Sequence, residues 1–442
     1  MSLTPLLADP ALARAALDRG EVGVVELTRA ALDRAAQMQP AIGAFSELTH
    51  EFALEHAERV QESLRSGAAR GPLAGLPLGV KDVIDVAGVP TRLGTPRAGH
   101  RIPAASAPVC SALAAAGAVI VGKTATHELA YGMTTPAARN PRDPSRIPGG
   151  SSGGSAAAVG AGITALALGT DTNGSIRAPA AHCGVVGLKP TRGALSREGV
   201  AELAWTQDTV GLLTPDVATA VHAWAALSPG PEAERREWRV GVDHGVIGQA
   251  APDVAAAVGS AFEQLELTLV EVRLPDVRLA GSASVLAIMA EAALAWREEL
   301  SADPEGFGPA VRAALTAGAE VGQTAYLHAK RARVRVCARV RELFERERLD
   351  AIALPTVPVT PTPAGVERVT VNGRERAVES LQSEFTSLAS LTGQPALSLP
   401  CGAGEAGLPV GLQLLGRAHR EAELLALAAD AEAAIPALPR FV

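Results

Sequence analysis

Two glycine-flanked serine clusters stand out as places where chemistry could happen. The first is Pro148-Gly-Gly-Ser151-Ser152-Gly-Gly-Ser155, and the second is Gly169-Thr-Asp171-Thr172-Asn173-Gly174-Ser175-Ile-Arg177. Alone, the first would pass for a flexible Gly/Ser linker. It is followed at once, however, by a small-residue helical stretch and an apolar strand, and a linker is seldom embedded in such a unit. Glycines around two serines instead let the backbone approach a ligand closely. In the second cluster a strand ends at Gly169, and a tight turn from Thr170 to Gly174 presents Ser175. Successive N–H groups in such a turn converge into an anion-binding nest. An oxyanion hole beside a serine nucleophile needs that arrangement.

A nucleophilic serine needs a base. Of the nine histidines, His127 and His182 lie nearest in sequence, but neither sits in a recognisable triad context. A lysine can serve if burial keeps it neutral, because desolvation disfavours the ammonium form. Lys81 lies inside the apolar run Leu78-Gly-Val-Lys-Asp-Val-Ile. On its residues alone it is open to two readings, the commoner surface lysine and a buried base.

One motif is set aside. Gly117-Ala-Val-Ile-Val-Gly122-Lys123-Thr124 matches the phosphate-binding loop letter for letter. Such a loop needs a pliable turn whose N–H groups wrap a phosphate. Ala118 to Val121 is apolar and, from Val119 on, β-branched, a stiff strand.

The elements that must position these residues alternate along the chain. Helical spacing is predicted over 9–40, 48–66, 107–116, 155–162, 218–226, 253–265, much of 280–348, 380–392 and from 421. Strands are predicted over 76–86, 118–121, 164–169, 184–188, 239–242, 268–272, 351–354, 396–399 and 411–415. Residues 67–72 and 132–154 read as loops, and 358–380 as an irregular surface excursion. Alternation of this kind predicts an α/β fold with a largely parallel or mixed sheet. With no clean linker and no internal repeat, one large domain is expected.

Composition narrows the function classes. A net charge of −7 and no long basic run argue against nucleic-acid binding; Lys330 to Arg341 alternates with Val and Ala as the wet face of a helix would. The four cysteines are scattered, without a Cys-x-x-Cys pair, so neither a zinc site nor a disulfide framework is expected. No metal or cofactor is called for. No signal peptide is visible, and no uninterrupted apolar run approaches the ~18 residues of a membrane span. The expected enzyme is cytoplasmic, with no membrane partner.

Several blocks together resemble the amidase-signature family. They are Leu76-Pro-Leu-Gly-Val-Lys81-Asp82, Gly149 to Ser155, Gly169 to Arg177, Cys183-Gly-Val-Val-Gly-Leu-Lys-Pro-Thr191, Asp208-Thr-Val-Gly211, Leu391 to Gly402 and Gly407 to Gln413. The resemblance implies a large, mixed, twisted β-sheet sandwiched between α-helices, in one domain spanning 1–442. Core motifs would fill 70–220, and 230–442 would complete the sheet and the substrate pocket. It implies Ser175 as nucleophile, Ser151 behind a cis peptide as proton relay, and Lys81 as terminal base. Backbone N–H groups of Thr172, Asn173, Gly174 and Ser175 would form the oxyanion hole. Ser152, Asp171 and Arg177 would hold the loops.

The implied activity is hydrolysis of a small-molecule carboxamide to acid and amine or ammonia through an acyl-enzyme. Alternatives are a glutaminase-type A subunit of a tRNA-dependent amidotransferase, a hydrolase of carbamoyl or urea-derived amides, and a silent scaffold. The chain departs from the family's pattern at Asn173, where glycine is commoner. It carries Ala178 where the amidotransferase chain would have Gln, and its loop from Thr124 to Pro148 is short. The Asn173 side chain is a candidate for reaching the substrate, Tyr131 for lining the pocket, and 270–390 for shaping it. The expected partner is the amide substrate, and a homodimer is admitted without being required.

Overall fold

The computed structural model describes residues 3–67, 71–231, 233 and 237–439. The loop read over 67–72 falls partly on 68–70, outside the described residues.

Apolar, β-branched runs become strands, most of them buried on both faces. Eleven of them form one sheet. They are β1 (Phe45–Leu48), β2 (Pro77–Lys81), β3 (Val119–Thr124), β4 (Leu166–Asp171), β5 (Val186–Lys189), β6 (Thr209–Thr214), β7 (Arg239–Val242), β8 (Thr268–Glu271), β9 (Ala351–Pro355), β12 (Ala396–Ala403) and β13 (Pro409–Gly416). The order is β1-β3-β2-β4-β6-β5-β12-β13-β9-β7-β8. β2 runs parallel to both β3 and β4, and β7 to both β8 and β9; the other junctions are antiparallel. The sheet is therefore mixed, with helices packed against it. Every residue of β2, β3, β4, β5, β6, β9 and β13 is buried, as expected of strands covered on both faces.

The structure differs from the sequence reading in several places. Phe45–Leu48 and Thr209–Thr214 are strands that the periodicity did not show, since each is short and adjoins a motif or a helix. Residues 358–380 are not wholly irregular: β10 (Arg368–Val371) and β11 (Arg374–Ala377) form a two-stranded hairpin. Its turn is Asn372-Gly373, both at positive φ (50° and 72°), the pair that two-residue hairpin turns favour. The predicted 380–392 helix is two short ones, Val378–Ser383 and Ser387–Thr392.

The loop-like motif at 117–124 is a strand, as its stiffness required. Lys123 is fully buried on β3 and pairs with Asp82 at 3.0 Å. The basic stretch 330–341 lies on the helix Gln323–Arg346, whose buried side carries Ala329, Val336 and Val340. One helix among the described residues, Val277–Ala295, is long and apolar enough to cross a membrane, which the search for uninterrupted apolar runs passed over. It includes the buried Glu291 and packs against the helices Pro309–Ala319, Gln323–Arg346 and Ser387–Thr392.

β2 and β4 are adjacent and parallel, so their C-terminal ends leave the sheet side by side. Lys81 is the last residue of β2 and Asp171 the last of β4. The serine turn begins at the same edge, the usual place for ligands in such sheets.

Candidate active site

Lys81 is wholly buried. Its Nζ lies 2.8 Å from Ser151 Oγ and 2.7 Å from Thr170 Oγ1. Burial pushes its pKa down to about 7, against the opposing pull of Asp171 and Asp208. An amine near this value is largely neutral just above neutral pH, and its lone pair can then accept the Ser151 proton.

Ser151 follows a cis Gly150–Ser151 peptide. Its carbonyl accepts from the N–H of His127 at 3.1 Å and from Thr135 Oγ1 at 3.1 Å. Ser152 ties the same loop to β4, donating from Oγ to the Thr170 carbonyl at 3.1 Å. Its N–H donates to the carbonyl of Ser175 at 3.1 Å. These bonds bring the two serine clusters together.

Asp171 and Arg177 organise the turn between β4 and Ser175. Both are fully buried, and the guanidinium meets the carboxylate twice, at 3.0 and 2.9 Å. Burial raises the Asp171 carboxyl, but Arg177, Lys189 and the Ile176 N–H together outweigh it and hold the group below its usual range. Arg177 also donates to the Thr386 carbonyl at 2.9 Å, to Ser390 Oγ at 2.8 Å and to Gln413 Oε1. Bidentate, fully bonded pairing is what makes a buried ion pair tolerable.

Asp171 also accepts from the N–H of Gly174 at 2.8 Å and of Ile176 at 3.2 Å. This corrects one expectation. The Gly174 N–H is already taken and is not open to an oxyanion. The N–H groups of Thr172, Asn173 and Ser175 meet no acceptor among the described residues. Two further bonds pin the turn: Thr386 Oγ1 to the Asn173 carbonyl at 2.7 Å, and Thr172 Oγ1 to Asp208 at 2.7 Å. Burial raises the Asp208 carboxyl to about 6, with the Thr172 hydroxyl and two N–H groups opposing. The Asn173 side chain is held by Ser284 Oγ at 2.7 Å.

Ser175 opens onto a cavity of about 230 Å³. Tyr131 lines it, with Met133, Leu203, Val285, Ile288 and Glu379. Ser175 Oγ donates to Met133 Sδ at 3.5 Å; a thioether is a weak acceptor. Burial pushes the Tyr131 hydroxyl up to about 12, so it stays neutral. The two histidines are spent elsewhere. His127 accepts from the Thr135 N–H through Nδ1 at 3.3 Å, and His182 Nε2 lies 2.6 Å from Gln382 Oε1. Burial, the first cause in each case, takes both down to about 4.

Reasoning from sequence missed Thr170, Met133, Asp208, Thr386 and Glu379. Thr170 alone carried a signal, as a hydroxyl at the end of the strand leading to Ser175. Asp208 opened a block that resembles the family, though with no role attached to it; Met133, Thr386 and Glu379 come from separate segments and show no local pattern.

The family profile described as Amidase matches residues 26–425. The chain belongs to the amidase family. It is 37% identical over 413 residues to an amidase of Pseudomonas putida, spanning 88% of each chain. It is 36% identical over 462 residues to the A subunit of the glutamyl-tRNA(Gln) amidotransferase of a Cyanothece species, spanning 93% of this chain and 94% of that one. A solved amidase structure superposes with a TM-score of 0.90 at 36% identity, covering 97% of this chain and 100% of the other. Like other amidases, the protein is a hydrolase acting on amide C–N bonds, and its large mixed sheet flanked by helices is the family's fold.

Proposed function

We propose that this amidase cleaves a small-molecule carboxamide through an acyl-ester on Ser175. The observation that carries the reading is the buried Lys81 amine, 2.8 Å from Ser151 Oγ, on the loop whose Ser152 is bonded to Ser175. Ser175 Oγ turns from Met133 toward Ser151 and attacks the amide carbon. Ser151 takes the Ser175 proton and passes its own to neutral Lys81. The N–H groups of Thr172, Asn173 and Ser175 hold the oxyanion. The relay then runs backward, Ser151 protonates the leaving nitrogen, and the amine or ammonia departs. Water, deprotonated by the same relay, attacks the ester and releases the acid. Asp171, Arg177 and Ser152 keep the turn and the loop in register, and the whole chain serves this one site as a single domain. The free thiols of Cys110, Cys183, Cys337 and Cys401 suit a reducing cytoplasm.

The test is ammonia release from a panel of aliphatic, aryl and carbamoyl amides, with Ser175→Ala alongside. The variant is expected to lose activity by on the order of 10⁴-fold or more while folding normally. Near-full turnover by Ser175→Ala would overturn the assignment.

A second reading is favoured by the curated relatives, among them the A subunits of glutamyl-tRNA(Gln) amidotransferases. It would make this chain a glutaminase that works with partner proteins on a charged tRNA. Against it, none of the described residues lining the cavity is cationic, so nothing there meets the α-carboxylate of glutamine. Glutamine turnover that appears only on adding such partner proteins would establish this second reading.

A further inference from the structure

The cavity in front of Ser175 is chemically lopsided. It is lined by the serine turn, by the apolar Leu203, Val285 and Ile288, and by Glu379 with Ser380 and Ser383. Glu379 is the one carboxylate among the described residues that line it, and it keeps contact with solvent. Its position is fixed. Oε2 accepts from the Met133 N–H at 2.8 Å, and Oε1 accepts from Thr134 Oγ1 at 3.2 Å. A carboxylate offers about four lone-pair sites. These two bonds therefore leave acceptor capacity on a side chain that lines the cavity and is exposed to solvent, and among the described residues no donor besides Met133 and Thr134 fills it.

We infer that Glu379 sets the charge selectivity of this site. It admits amides whose acyl chain is apolar along its length and ends in a cation or N–H donor. It turns away amides whose chain ends in a carboxylate. The inference rests on the amide-hydrolase reading and adds the substrate class. The physical argument is simple. An ammonium beside a fixed carboxylate is attracted, and a carboxylate in the same place meets a like charge with no cation to offset it. Desolvation opposes the charged form of Glu379, and the Met133 N–H and Thr134 hydroxyl support it.

The test uses three probes of similar shape: valeramide, γ-aminobutyramide and glutaramate. The first two differ only by a terminal methyl against an ammonium, and the third ends in a carboxylate. Activity is read at about pH 8, well above the ordinary carboxylate range and above the pKa of about 7 for Lys81. The wild type is expected to rank them by kcat/KM as γ-aminobutyramide, valeramide, glutaramate, with the cation ahead of the anion by roughly tenfold or more. Glu379→Gln keeps the volume and one acceptor oxygen. It is expected to shrink that cation-over-anion ratio by about tenfold, with folding checked by the melting temperature. A flat or reversed order in the wild type, or an unchanged ratio in a folded Glu379→Gln, overturns the inference. Should the wild type hydrolyse none of the three, calorimetric titration of the same probes into Ser175→Ala reads the charge order as binding. Hydrolysis with no charge order sinks this inference alone. Charge-ordered binding without hydrolysis upholds this inference, and the amidase reading then falls only if the aryl and carbamoyl amides of the wider panel are also left intact.

Discussion

Lys81 is a titratable amine placed where water does not reach, and its ionisation gives the reaction a pH signature. Its pKa of about 7 lies below that of a free lysine because burial penalises the charge. The neutral amine is the active form, so activity should rise with pH and level off above about 7. Below that value kcat/KM should fall about tenfold per pH unit. Lys81→Ala should lose on the order of 10²- to 10⁴-fold in rate and lose that acidic limb. A pH–rate profile of the variant that keeps the wild-type limb would refute Lys81 as the base. At this scale the sequence was informative where residues came in patterns. Ser175, Ser151 and Lys81 each lie in a long block that resembles the amidase-signature family, and the structure gathers those blocks at one edge of the sheet. Met133, Thr386 and Glu379 reach the site one by one from distant segments. No spacing could announce them, because their meeting is a property of the folded sheet. Gly174 was misread for a related reason: a sequence shows that a turn has N–H groups, but not which one a neighbouring carboxylate has already claimed.

The turn from Asp171 to Ser175 is the element on which the site depends, and Gly174 is its tightest point. Its φ of +126° is a conformation open to glycine and strained for other residues. A Cβ there would lie 2.1 Å from Thr386 Oγ1, the hydroxyl that holds the Asn173 carbonyl. Gly174→Ala should therefore shift the turn. The expected cost is about 1–3 kcal/mol of stability from backbone strain alone, with a larger loss in kcat than in KM. Thermal melting and steady-state kinetics on the purified variant check both, and wild-type values would contradict the account. Elements also show where the sequence spoke clearly. The apolar runs at 118–121, 164–169 and 351–354 are strands because only a sheet buries such short segments on both faces. The hairpin at 368–377 was passed over although Asn372-Gly373 announced its turn. Its strands are polar and half-exposed, so the hydrophobic alternation that flags a strand is faint there.

At the scale of the whole molecule, the sheet is laid out so that late strands support early ones. β12 pairs with β5, and β13 places Gln413 against Arg177. Arg177 is buried with four partners, Asp171, Thr386, Ser390 and Gln413. Removing it would strand the Asp171 charge in the interior. Arg177→Met should therefore destabilise the protein by about 3–5 kcal/mol and abolish activity, as chemical denaturation and the ammonia assay would show. A variant as stable as the wild type would mean that Asp171 takes up its proton or another partner. The mixed topology itself was only half visible in the sequence. Alternating helices and strands announce an α/β sheet, but strand direction is decided by pairings between segments far apart in the chain.

The reach of Arg177 also bears on how the enzyme comes into being. The contact from Arg177 to Gln413 spans 236 positions, and a chain leaves the ribosome from its N-terminus. At ~5–20 residues per second, the nucleophile turn would wait on the order of ten to fifty seconds before the strand that braces it is made. Until then Ser175, Ser151 and Lys81 are already synthesised, together with β2 and β4, but the brace from β13 is missing. Catalytic competence is thus among the last properties the nascent polypeptide acquires, and a truncated translation product that carries all three residues is left without the brace.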